Sequence, residues 1–185
     1  MPARSVPERL AWAMQTMAIA PADHVLEIGC GRGVAASLVC ERLSGGRFVA
    51  IDRSVTMTKL AKQRNIDSVE AGKAVFLATP LDAANLAGER FDKVFAVNVN
   101  LFWVHSSVKE LELVRGALKR DGAMYLFYEP PQAARAKAIA QRVAAFLTEQ
   151  AFATTTLTMT TKRARTVVCV VARQPGRAQT MASKR

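Results

Sequence analysis

Three glycines at alternate positions, Gly29, Gly31 and Gly33, follow directly on the apolar run Val25-Leu26-Glu27-Ile28. The run predicts a short strand that carries one acidic residue and ends in a glycine-rich turn. Val34 to Leu43 then read as a helix. Without Cβ atoms the loop backbone can turn tightly and a ligand can lie directly on it. A helix opening from such a loop aims its first N–H groups at whatever sits there. Strand, glycine loop and helix in that order place a nucleotide-type site at the carboxyl end of a first strand in an open α/β sheet.

A second signal stands 19 residues beyond Gly33, where Phe48-Val49-Ala50-Ile51 ends in Asp52. A carboxylate at the end of the second strand can accept hydrogen bonds from both hydroxyls of a ribose. The interval from Gly29 to Asp52 is 23 residues, close to the roughly 20 of a dinucleotide-binding unit. The loop departs from the dinucleotide form G-x-G-x-x-G, which needs glycine where Val34 stands. What stands here is E-x-G-x-G-x-G. A dinucleotide loop, or a loop with no ligand, is the competing interpretation.

The segments VLEIGCGRG at 25–33 and FVAIDRS at 48–54 together resemble the class I S-adenosylmethionine-dependent methyltransferases. FDKVFAVN at 91–98 and LKRDGAMYLF at 118–127 match more generically, and the likeness spans roughly residues 20 to 173. It implies an α/β fold: one doubly wound, seven-stranded, mostly parallel sheet of order 3-2-1-4-5-7-6, strand seven antiparallel, with helices on both faces. The expected division is a domain over 1–173, whose first 20 residues form a helix covering the pocket, and a basic, disordered tail over 174–185.

With 185 residues, half of them apolar, the chain is expected to be one domain with a sizeable core. No apolar run reaches the roughly 18–20 residues needed to cross a bilayer. The charged N-terminal segment lacks a signal-peptide core. A soluble, cytoplasmic protein is expected. Cys30, Cys40 and Cys169 are odd in number and form no C-x-x-C pair, which argues against a disulfide frame or a zinc site. The net charge is +11, and residues 162–185 hold seven Lys or Arg and no acid; removing those seven leaves +4 for residues 1–161. The charge therefore gathers at the C-terminus, where a solvated tail and a polyanion-binding tail are the two interpretations.

The remaining elements follow from periodicity. Ser5 to Ile19 reads as an amphipathic helix with a capping box and the stripe Val6, Leu10, Met14, Met17. Strands are expected at 24–28, 47–51, 74–77, 91–97, 123–128, 152–160 and 166–173. Ser54 caps a helix with Met57, Leu60 and Ala61 on one face, and Asp82 reads as the cap of a helix from Ala83. Ser107 to Glu110 forms a second capping box, with Leu111, Val114 and Leu118 on one face. Asp121-Gly122 reads as a turn. After Glu129-Pro130-Pro131 a helix runs to Gln150 with Ile139, Val143, Phe146 and Leu147 inward.

The resemblance implies S-adenosyl-L-methionine as cofactor. Glu27 and the loop Gly29, Cys30, Gly31 and Gly33 would hold its methionine half, and Asp52, with Arg53 beside it, the ribose. Met57, Pro80 and Leu81 lie within reach of the adenine, Met57 having core packing as its alternative. In the resembled family an acid after the third strand touches the adenine amino group; here neutral Thr79 or Pro80 takes that place, or Asp82 does, with the helix cap as the favoured role of Asp82. Asn98 ends the fourth strand at the switch point and faces the transfer centre. Substrate-side candidates are Asn100, Trp103 and His105. His105, Tyr128 and Glu129 are the candidate catalytic groups, a histidine being able to titrate near neutrality. The segment Asn98-Val99-Asn100-Leu101-Phe102 lacks the prolines of the Asn-Pro-Pro-aromatic motif carried by amino-methyltransferases of DNA and protein glutamine, which argues against that chemistry. A small-molecule acceptor is favoured. An RNA methyltransferase using the basic C-terminal region and a non-catalytic interaction protein are the alternatives. No membrane contact is expected, and oligomeric state stays open, a homodimer included.

Overall fold

The computed structural model describes residues 6–104 and 107–175. Seven strands form one sheet: β1 (His24–Ile28), β2 (Arg47–Asp52), β3 (Ala74–Ala78), β4 (Phe91–Val97), β5 (Leu118–Tyr128), β6 (Ala153–Thr160) and β7 (Thr166–Arg173). Their order is β3-β2-β1-β4-β5-β7-β6, as expected. β1 pairs in parallel with both β2 and β4, and β7 runs antiparallel between β5 and β6. The strand order reverses between β1 and β4, which opens a crevice at their carboxyl ends.

Period-two alternation divides the core into two layers. Leu26, Ile28, Val49, Ile51, Val94, Ala96, Met124, Leu126 and Tyr128 face one side. They pack there under α6 (Val108–Ala117) and α7 (Ala133–Glu149). Val25, Phe48, Ala50, Phe95, Tyr125 and Phe127 face the other side. α1 (Glu8–Met17) and α2 (Val34–Cys40) cover that side, joined by Ala61 of α3 (Val55–Arg64). Two short helices, α4 (Ile66–Glu70) and α5 (Leu101–Val104), complete the chain.

Several expectations are corrected. β5 begins at Leu118, so that residue belongs to the strand rather than to α6. Asp121-Gly122 lies inside β5 and is no turn. β4 and β5 shift register between Phe91 and Lys93, and a Cβ on Gly122 would stand 2.8 Å from the Phe91 carbonyl oxygen. A bulge thus needs glycine for close backbone approach, and in the sequence it imitates a turn. Asp82 caps no helix: Leu81–Ala83 is one 3-10 turn, and Ala84 returns to extended backbone. α2 stops at Cys40, short of Leu43.

Of the expected α1 stripe, Leu10, Met14 and Met17 are buried, whereas Val6 is exposed. Pro7 occupies the N-cap position, and Ser5 lies outside the described residues. α1 packs on the sheet and supplies no residue to the walls of either cavity described below. Its reach toward the site is Arg9, which pairs with Glu129 at 3.1 Å. Along the long helix, Ile139, Val143 and Leu147 are buried and Phe146 is half-buried against the same core. The tail expected over 174–185 lies outside the described residues from 176 on; Gln174 donates to the Arg115 carbonyl. All three cysteines are buried and free. No helix among the described residues is long and apolar enough to cross a membrane.

Candidate active site

The glycine loop is held from three sides. Gly29 N–H and Cys30 N–H both donate to the Ile51 carbonyl, at 2.8 and 3.2 Å. Gly31 N–H donates to Asp52 Oδ2 at 2.8 Å, while Ser54 N–H donates to Asp52 Oδ1 at 2.9 Å. Asn65, at the end of α3, donates from Nδ2 to the Gly33 carbonyl at 3.1 Å and accepts from Ser37 at 2.7 Å. Gly29, Gly31 and Gly33 all have positive φ, at 76°, 50° and 72°. A Cβ on Gly33 would stand 2.8 Å from Ala61 Cα, whereas one on Gly31 would meet nothing within 4 Å. Gly33 is therefore required by packing against α3, and Gly31 by backbone conformation beside open space. Asn65 was not singled out in the sequence, where an asparagine ending a helix reads as a simple stop.

Two carboxylates of unlike surroundings lie under this loop. Glu27 is buried and its Oε2 has no hydrogen-bond partner. Burial, and secondarily the Asp52 charge, raise its carboxyl well above the ordinary carboxylate range. The same causes act on Cys30: burial first, then Glu27 and Asp52, push its thiol up to about 12. Cys30 is a neutral packing group at physiological pH and no nucleophile.

A cavity of about 600 Å³ opens at the carboxyl ends of β1, β2 and β4. Its walls include Gly29, Asp52, Arg53, Pro80, Leu81, Asn98 and Asn100, all singled out from the sequence. Glu27, Cys30, Gly31, Gly33 and Met57 are not among its lining residues. Met57 is half-buried, and its N–H is capped by Ser54 Oγ at 3.3 Å. Asp82, read from the sequence as a helix cap, lines the cavity, as does Glu110 from the first turn of α6. Asp82 holds one of the positions that the resemblance allows for an acid beside the adenine; Glu110 could not be placed by local pattern. Asp82 arrives through the 3-10 turn, and Glu110 by the packing of α6 against that turn.

Asn98 sits between this cavity and a second one. Its φ is 57°, a left-handed value that asparagine tolerates. Its N–H donates to the Phe127 carbonyl, and its Oδ1 accepts from Glu129 N–H at 2.8 Å. The end of β4 is thereby tied to the end of β5. The second cavity, about 280 Å³, shares Asn98 and Asn100 with the first. Trp103, Tyr128, Glu129, Pro130, Pro131, Arg135 and Ile139 complete its lining. Trp103 Nε1 donates to Asn100 Oδ1 at 3.1 Å, and the Arg135 guanidinium lies 5.4 Å from the Trp103 ring centre. Tyr128 is buried with its hydroxyl unpartnered, and burial raises its phenol. His105 lies outside the described residues. No group of three or more His, Cys, Asp or Glu among the described residues is arranged to hold a metal ion.

The methyltransferase-domain family model matches residues 25–122, just over half of the 185 residues. The chain belongs to this family. A trans-aconitate 2-methyltransferase of Paracidovorax citrulli is 30% identical over 122 residues, covering 63% of this chain and 44% of that protein. An uncharacterized methyltransferase of Bacillus subtilis, YdaC, is 26% identical, over 66% of this chain and 65% of its own. The alignments thus span less than two thirds of either curated relative. Among solved structures, a SAM-dependent methyltransferase from Aquifex aeolicus superimposes with a TM-score of 0.71 at 14% identity, over 88% of both chains. That likeness confirms the fold. The family match covers the segment holding the glycine loop, Asp52, the 3-10 turn and Asn98.

Proposed function

We propose that this chain is an S-adenosylmethionine-dependent methyltransferase acting on a small-molecule acceptor. The observation that carries the reading is the pair of adjoining cavities separated by Asn98 and Asn100. The larger has the room and the lining for an adenosyl donor. It combines a strand-end carboxylate at Asp52, apolar surface at Pro80 and Leu81, and an open glycine loop. The orphaned Glu27 oxygen behind that loop fits the same group, since a buried polar atom without a partner usually marks a place for one.

When bound, the donor supplies a sulfonium methyl group that an acceptor lone pair takes in a single displacement, leaving a neutral thioether. Every other contribution is positional. Asp52 would hold the ribose, and its bond to Gly31 N–H fixes the carboxylate for that role. Pro80, Leu81 and Asp82 would flank the base. Asn98, locked by the Phe127 carbonyl and Glu129 N–H, would set the distance between donor and acceptor. Tyr128 and Glu129 would stand on the acceptor side, Glu129 already neutralised by Arg9. The second cavity, at about 280 Å³, is near the lower end of the size range of small-molecule pockets, about 300 Å³.

The test supplies methyl-tritiated S-adenosylmethionine with a metabolite extract and, separately, with total cellular RNA. Label is expected in the metabolite fraction. Label in RNA that drops on removal of 174–185 overturns the small-molecule assignment, and none in either overturns the enzymatic one.

A further inference from the structure

The second cavity has unbalanced charge. Its one carboxylate, Glu129, is paired with Arg9 at 3.1 Å. Its one guanidinium, Arg135, belongs to none of the ion pairs among the described residues and rests against the Trp103 ring. Further cations stand at the same end of the sheet. Thr160 pairs with Thr166, and Tyr128 with Val168, so the turn between β6 and β7 stands at the same edge of the sheet as Tyr128. Lys162, Arg163 and Arg165 occupy that turn and are exposed. The nearby Glu8 carboxylate is engaged by the Lys162 N–H.

Tyr128, in the cavity wall, carries a buried polar group without a partner. Tyr128 is 3% exposed, and its hydroxyl makes no hydrogen bond. A buried hydroxyl in that state has lost its water without gaining a partner, a loss that a ligand atom would remove. Of the remaining walls, Trp103, Pro130, Pro131 and Ile139 are apolar or flat, and Asn98 and Asn100 are the polar pair shared with the larger cavity.

We infer that the second cavity binds a planar acceptor bearing a carboxylate. Arg135 holds the carboxylate, Trp103 and Ile139 bound its apolar body, and the Tyr128 hydroxyl hydrogen-bonds a further polar atom of it. The inference rests on the proposed donor cavity only for the identity of this ligand as the acceptor. Arg135 suits the task because its planar fork matches a carboxylate in a way an ammonium does not. Its position 5.4 Å over the Trp103 ring centre is a cation–π contact that favours holding it at the cavity.

The probe pair is salicylate and its neutral isostere salicylamide, titrated into the full ¹⁵N-labelled chain with and without S-adenosylhomocysteine. The chain has two tryptophans, so two indole N–H signals report binding, and Trp12→Phe assigns them. Salicylate is expected to move the Trp103 signal and leave Trp12 in place, with salicylamide at least tenfold weaker. Arg135→Gln is expected to erase that preference. Tyr128→Phe is expected to weaken salicylate at least threefold without lowering the melting temperature, since it removes an unpartnered group. Equal binding of the two probes, no movement of the Trp103 signal, or a preference that survives Arg135→Gln overturns the inference. Salicylate binding without any S-adenosylhomocysteine binding leaves the cavity assignment standing and overturns the donor reading instead. S-adenosylhomocysteine binding without salicylate binding does the reverse.

Discussion

The two glycines at the centre of the loop differ in what they require, and a pair of alanine substitutions separates the requirements. Gly33→Ala forces alanine to φ 72° and sets its Cβ 2.8 Å from Ala61 Cα and 2.7 Å from Asn65 Nδ2. The left-handed conformation costs about 1–2 kcal/mol. Overpacking against helix backbone adds about 1–3 kcal/mol, because α3 cannot yield without losing its contacts with β2 and β3. A loss of about 2–5 kcal/mol is expected. Gly31→Ala carries the conformational penalty alone, since its Cβ meets nothing within 4 Å. About 1–2 kcal/mol is expected there. Any gain from stiffening the unfolded chain is the same for both and cancels in the comparison. Urea denaturation of the ligand-free protein, with a common m-value, reads the difference. Equal losses, or a larger loss at Gly31, would refute the packing role assigned to Gly33.

Two further predictions concern the buried acid and thiol. Burial and Asp52 raise the folded-state carboxyl of Glu27 above its unfolded value of 4.5, so the stability it contributes is complete below about that pH and is lost as pH rises toward the folded value. Glu27→Gln has no such proton to lose, and its stability relative to wild type is expected to rise from pH 4.5 to pH 8; a pH-independent difference contradicts the assignment. Cys30, pushed up to about 12, is expected to resist iodoacetamide at pH 8 until the protein unfolds, and fast alkylation of the native state at that residue would show an accessible thiolate.

Part of the larger cavity's wall was legible because its signal is local. Gly29 and Asp52 are marked by spacing along one strand–loop–helix–strand unit and both line the cavity, whereas Glu27, Gly31 and Gly33, marked by the same spacing, do not. The strand order was implied by the resemblance of five strand–helix units and a final hairpin, and the structure has it. What the sequence concealed came from contacts distant in the chain. Gly122 reads as half of a turn unless the Phe91 backbone it must clear is known. Asp82 precedes an alanine run that looks helical, yet a 3-10 turn returns the chain to extended backbone and leaves the carboxylate on the cavity wall. Glu110 looks like half of a capping box and lines the same cavity from across the fold. Arg135 sits among surface residues of a long helix, and only its position over Trp103 brings it to the site. The second cavity was therefore the least legible part, being built from the ends of β4 and β5, from α5 and from the first two turns of α7.

The most direct test of the donor cavity is calorimetric titration of S-adenosylhomocysteine into wild type and Asp52→Ala. Asp52 lines the cavity and holds Gly31 and Ser54 N–H. One-to-one micromolar binding is expected in the wild type, with affinity at least tenfold lower in the variant, about 1.4 kcal/mol. No binding to the folded wild type would contradict the assignment of the cavity, and undiminished binding to Asp52→Ala would contradict the ribose contact on which it is built.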